Sequence, residues 1–166
     1  MRFYLVRHGM PMRGGAYSDL DRPLTPAGES QLETLGHTLA WLGVGTAHIA
    51  TSPAERCRSS AAILAHELQI PASHLHTLPE LGIDGNPARA LAAIGARAGV
   101  GWIVVTHEPI VRGICAALLG DPPRVGLRFD CGACACFDLE ATTVKPPALL
   151  EWLLSPELLS KRVAAS

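Results

Sequence analysis

The sequence predicts an α/β domain, a three-layer α/β/α sandwich around a mostly parallel sheet. Two observations carry that expectation. Short apolar runs rich in Val and Ile alternate with longer segments of helical period, the pattern of strands joined by crossover helices. The stretch Trp102 to Thr106 is apolar without alternation and ends at His107, which suits a central parallel strand covered on both faces.

The elements follow in order. Arg2 to Val6 reads as the first strand, and Met10 to Pro23, crowded with Gly, Pro, Ser and Asp, as a long loop. Thr25 is placed to cap a helix that Pro26 opens, with Leu32, Leu35, Leu39 and Leu42 on its apolar stripe and Gly43 to Gly45 stopping it. His48 to Thr51 is a second strand. Ser52-Pro53-Ala54-Glu55 then has the form of a capping box with proline at the first helical position, and the helix it opens should reach about Leu68. A weak strand at Leu75 to Leu78 and a short helix from Pro87 to about Ala98 precede Trp102 to Thr106. Pro109 to Leu119 is the next helix, and Ala133 to Leu139 and Leu149 to Leu154 are the last strands. Residues 157–166 are expected to form a peripheral tail.

Composition bounds the function. A chain of 166 residues with 48% hydrophobic and 17% charged residues fits a single domain spanning 1–166 and excludes a disordered segment. Its 14 basic and 15 acidic residues give a formal charge of −1, so no bulk attraction to nucleic acid or anionic membrane is expected. The first apolar run, Phe3 to Val6, lies between Arg2 and Arg7 and is far too short for a signal peptide or a membrane span. A soluble cytoplasmic protein is the expectation. Five cysteines are an odd number in such a chain, which predicts reduced thiols.

Three junctions between a strand and the following helix carry the polar residues of interest. These are Arg7-His8-Gly9, Ser52 to Arg56, and His107-Glu108-Pro109. Ligands of open α/β sheets bind outside the carboxyl ends of the strands, so the three can share one pocket. Two arginines and two histidines there, backed by helix N-termini, make an anion site that suits phosphate. Because histidine can present a neutral nitrogen to phosphorus, one imidazole is a candidate nucleophile.

Other residues have plainer readings. His74 and His76 share a strand face, yet no further ligand lies near in sequence, so they read as structural along with His37, His48 and His66. Cys131, Cys134 and Cys136 read as core rather than as a metal cluster. Arg58 points away from Arg56, toward solvent pairing. Arg13, Asp19, Asp21 and Arg22 stay open between contacting a protein substrate and pairing within their loop. No cysteine-phosphatase loop and no P-loop occurs.

Arg7-His8-Gly9, Arg22-Pro23-Leu24-Thr25 with Gly28, Thr51-Ser52-Pro53 with Arg56 and Ala61, and Val105-Thr106-His107 together resemble the phosphoglycerate mutase-like histidine phosphatase superfamily. The ordered set spans residues 1 to about 120. Leu78-Pro79-Glu80-Leu81, His107-Glu108-Pro109, the Trp152 to Pro156 segment and the small size are most similar to the SixA-type phosphohistidine phosphatases. The resemblance implies that His8 is the nucleophile and that Arg7, His8, Arg56 and His107 hold the phosphoryl group. It implies no metal and no cofactor. Glu80 matches the proton donor of many members, against the alternative of a surface or capping carboxylate. Only 26 residues separate Glu80 from His107, so no helical lid is expected and the pocket should be open. The expected reaction is hydrolysis of phosphohistidine on a protein through a covalent intermediate, releasing inorganic phosphate. The alternatives are a phosphatase of a small phosphomonoester using the same residues, and a non-catalytic module that binds phosphate or a phosphoprotein.

Overall fold

The computed structural model describes residues 1–45, 47–96, 101–120, 126–139 and 147–163. Its elements in chain order are β1 (Arg2–Arg7), α1 (Pro26–Trp41), β2 (Ala47–Thr51), α2 (Glu55–Glu67), β3 (Leu75–Thr77), α3 (Pro87–Gly95), β4 (Gly101–Thr106), α4 (Ile110–Leu119), β5 (Cys134–Asp138), β6 (Leu149–Leu154) and α5 (Pro156–Val163). The strands form one sheet in the order β3-β2-β4-β1-β5-β6. From β3 to β1 all neighbours are parallel, and β5 runs antiparallel to both β1 and β6. The architecture is the predicted sandwich.

Side-chain alternation along the strands sorts the core into two layers. Phe3, Leu5, Trp102 and Val104 pack against Leu91 and Ile94 of α3 and Ile110 and Ile114 of α4. On the other face Val6, Ile49, Ile103 and Val105 meet Leu32, Leu35 and Leu39 of α1 and Leu64 of α2. β4 therefore sends alternate side chains into both cores, which is why its sequence is apolar throughout. Among the described residues no helix is long and apolar enough to cross a membrane.

Several expectations about the elements change. Leu42 is 43% exposed rather than part of the α1 stripe, because α1 ends at Trp41 and Gly43 turns the chain at φ 75°. Thr25 does cap α1, its Oγ1 accepting from the Gly28 N–H at 3.0 Å. The capping box at Ser52 does not form. The Ser52 N–H still bonds to the Val105 carbonyl, so the chain remains extended there and α2 begins only at Glu55, after Ala54. Ser52 Oγ closes the intervening turn by accepting from the Ala54 N–H at 3.2 Å. The helix expected to reach Ala98 ends at Gly95, and positions 97 and 98 lie outside the described residues. Residues 157–163, expected as a peripheral tail, belong to α5, which docks on α1 with Leu159 buried in the α1–α2 core.

Candidate active site

The sheet register assembles the site. Arg7 of β1 pairs with Thr106 of β4, and Val105 pairs with Thr51 of β2. His8, His107 and Ser52 therefore leave the same edge of the sheet from adjacent strands. The bonds continue past the strands, from the His8 N–H to the Thr106 carbonyl and from the Ser52 N–H to the Val105 carbonyl, both at 3.0 Å. Arg56 reaches this edge from the first turn of α2. Arg7, His8, Arg56 and His107, separated by up to 100 positions in sequence, thus converge.

His8 is 4% exposed. Its Nδ1 lies 2.7 Å from the Gly9 carbonyl, and since a carbonyl only accepts, Nδ1 carries the hydrogen and Nε2 keeps a lone pair. The Nε–H of Arg56 donates to that Nε2 at 3.2 Å. Burial holds the imidazole down to a pKa of about 4, and the charges of Arg56, Arg7 and His107 push the same way against the opposing Gly9 bond. At neutral pH His8 is an uncharged base with an oriented lone pair.

The groups around it are fixed. Arg56 is 5% exposed, with Nη2 donating to Asp19 Oδ2 at 3.1 Å and Nη1 donating to the Asp19 carbonyl. Arg7 Nη1 donates to the Phe129 carbonyl at 2.6 Å. His107, 2% exposed, points its Nδ1 at the Glu108 carbonyl at 3.1 Å. Arg7 Nε and His107 Nε2 are buried with no hydrogen-bond partner among the described residues. Buried polar atoms left unpaired are rare and costly, and a tetrahedral oxyanion beside His8 would meet both.

Residues without obvious chemistry hold this arrangement. Ser60 Oγ donates to the Arg56 carbonyl at 2.6 Å and accepts from the Gly9 N–H at 3.1 Å, linking α2 to the turn after β1. Sequence reasoning missed Ser60, whose one signal was its position a helical turn beyond Arg56. Gly9 packs so closely on α1 that a Cβ there would stand 2.3 Å from the Gly28 carbonyl oxygen. Thr106, at the end of β4, donates from Oγ1 to the Leu81 carbonyl at 3.0 Å. That bond ties the turn Pro79–Leu81 to the end of β4, and Glu80 sits half-buried on that turn, lining a groove with Pro79, Asp84, Asn86 and Arg89.

The loop residues divide. Asp19 pairs with both Arg56 and Arg22, whereas Asp21 accepts from the Ser18 hydroxyl. Arg58 pairs with Glu55 at 3.6 Å near the surface. His48 stacks on His74 at 4.1 Å and approaches His76 with 2.9 Å between ring nitrogens. Among the described residues no group of three or more His, Cys, Asp or Glu is arranged to hold a metal ion.

A sequence model of the histidine phosphatase superfamily (branch 1) matches residues 3–85. The chain belongs to this superfamily. Its fold matches the protein histidine phosphatase SixA complexed with tungstate with a TM-score of 0.85 and 27% identity, over 96% of this chain and 99% of that one. The alpha-ribazole phosphatase from Shigella flexneri matches with a TM-score of 0.74 and 22% identity, over 94% and 97% of the two chains. A phosphoserine phosphatase mutant from Entamoeba histolytica, in complex with phosphoserine, matches with a TM-score of 0.71 and 14% identity, over 95% and 98%. At such identities the last two likenesses concern the fold. An uncharacterized protein of a Picosynechococcus strain is 41% identical over 66 residues, which span 39% of this chain and 40% of that relative. A phosphoglycerate mutase-like fold is thus common to the superfamily's SixA and to this chain.

Proposed function

We propose that this superfamily member hydrolyses phosphohistidine on a protein, without a metal ion, with His8 as nucleophile. The observation that carries the reading is the neutral, oriented Nε2 of His8 beside the buried Arg56, the half-buried Arg7 and the unpaired His107 Nε2. The Nε2 lone pair attacks phosphorus as the bond to the leaving imidazole breaks, and that bond's electron pair goes to the leaving nitrogen. Arg7, Arg56 and His107 hold the transferring oxygens, because phosphoryl transfer needs positioning and charge neutralisation above all. Water then attacks the phosphohistidine, the P–Nε2 bond breaks, and inorganic phosphate leaves with the lone pair restored to His8. Glu80 is the candidate proton donor for poorer leaving groups, against a surface or capping carboxylate. A leaving imidazole, which can take its proton on its own ring, has less need of it.

Two features support a protein substrate. The connection from Glu80 to His107 holds α3 and β4, and its described residues include no helical insertion to enclose a metabolite. The loop that supplies Asp19 to Arg56 also exposes Met10, Met12, Tyr17 and Leu20, apolar side chains of the kind that meet a partner surface. The second reading, a small phosphomonoester, draws on the fold shared with the alpha-ribazole and phosphoserine phosphatases. The test compares kcat/KM of the wild type and His8→Ala, in chelator, on a phosphohistidine-bearing protein, a phosphohistidine peptide and a panel of small phosphomonoesters. Fast, His8-dependent turnover of the protein substrate is expected. Preference for one small phosphate transfers the assignment to metabolism, and tight phosphate binding without turnover makes the chain a binding module.

A further inference from the structure

Asp19 has no place in the chemistry above, yet it meets the phosphoryl site directly. Its carboxylate accepts from Arg56 Nη2 at 3.1 Å and from Arg22, and its backbone carbonyl accepts from Arg56 Nη1. Arg56 is almost wholly buried while the Asp19 side chain is 46% exposed, so the carboxylate stands on the solvent side of the arginine. Burial by itself pushes the Asp19 pKa up, but the bond and charge of Arg56, then Arg22 and His107, outweigh it and hold the carboxyl below its ordinary value. A fixed negative charge therefore borders a site made for an anion.

We propose that Asp19 is a specificity-determining residue: its carboxylate repels substrates that carry a second anion beside the phosphoryl group and favours leaving groups that present an N–H. The inference rests on the reading of His8 and Arg56 as a phosphoryl site and deepens it. A phospho-hydroxy acid brings a carboxylate within a few ångströms of its phosphate, and like charges that close in a partly desolvated rim repel strongly. A phosphoramidate of the phosphohistidine type brings an imidazole N–H instead, a hydrogen-bond donor for the same carboxylate. Such discrimination works by repulsion of the wrong substrate as much as by attraction of the right one. A carboxylate serving only to tether the loop would alter affinity for every phosphate alike.

The test has a binding arm and a turnover arm, each run on the full chain with Asp19→Asn, Asp19→Ala and the same-loop control Asp21→Asn. In the first, methylphosphonate and phosphonoacetate, which differ by a carboxylate next to the phosphonate, are titrated by NMR. Wild type and Asp21→Asn should prefer methylphosphonate, and both Asp19 variants should narrow that preference about tenfold. In the second, the ratio of kcat/KM for a phosphohistidine peptide to that for phosphoserine should fall by a similar factor. A preference unchanged in both Asp19 variants overturns the inference, as does an equal shift in Asp21→Asn. A shifted binding preference with no turnover of any substrate leaves the inference standing and overturns the proposed activity. Failure of wild type to bind either phosphonate overturns both.

Discussion

His8 is held neutral by its surroundings, and two consequences follow at the scale of that residue. With a pKa of about 4 rather than the usual 6.5, the attacking nitrogen stays free of a proton throughout the neutral range. The acid limb of kcat/KM, which reports the free enzyme, should therefore fall near pH 4, and a limb near 6.5 would contradict the assignment. Stability is linked to the same shift. The unfolded chain binds a proton on His8 below about 6.5 and the folded chain only below about 4, so stability contributed by this residue is lost as pH falls through that window. The loss amounts to about 3 kcal/mol. His8→Asn should remove it, and urea unfolding of both proteins at pH 7 and pH 4.5 checks whether the variant loses less stability on acidification. Turnover of His8→Ala should drop by roughly 10³-fold or more, since removing a nucleophile removes the covalent route altogether.

At the scale of elements, the site depends on how α1 and α2 grip the turn after β1. Ser60→Ala would leave the buried Gly9 N–H without its acceptor, a loss of about 1–3 kcal/mol, and would free the Arg56 backbone from that turn. Equilibrium unfolding measures the first effect. A lower kcat/KM with unchanged circular dichroism measures the second. Gly9→Ala would drive a Cβ to 2.3 Å from the Gly28 carbonyl oxygen, a backbone atom, and to 2.5 Å from Leu32. Such overpacking costs about 1–3 kcal/mol and displaces the neighbouring His8. The bond from Thr106 to Leu81 connects β4 to the turn that bears Glu80. If Glu80 protonates leaving groups, Glu80→Gln should slow alkyl phosphates more than phosphohistidine, and equal slowing of both would refute the leaving-group argument.

For the whole molecule, binding of an anion at the convergence of three strand ends should stabilise the fold, because the unfolded chain scatters Arg7, His8, Arg56 and His107 over 100 positions. Phosphate at 100 times its Kd is expected to add about 2.7 kcal/mol. That corresponds to a rise of roughly 5–11 °C in Tm for a chain of this size, absent in Arg56→Ala. Since fixed guanidinium groups supply the positive charge, chelators should leave kcat/KM unchanged. The sandwich also accounts for what the chain alone made readable. Alternation of apolar runs with helical periods exposes the fold class, because burial on one or both faces dictates those periods. The order of Arg7-His8-Gly9, Arg56 and His107 exposes the residues that a strand-end pocket would gather. Contacts between elements remote in sequence are another matter. Whether Ser52 opens a helix or extends a strand depends on the Val105 carbonyl of a neighbouring strand, and whether residues 157–163 fray or dock depends on the exposed side of α1. The sequence left Asp19 between contacting a protein substrate and pairing within its loop, and only the fold brings it to Arg56, on another element, as well as to Arg22. Local propensity and periodicity are properties of the chain and determined the elements and their order. Register, burial and the charges around His8 arise only when distant segments share a surface, and these the tertiary structure decided.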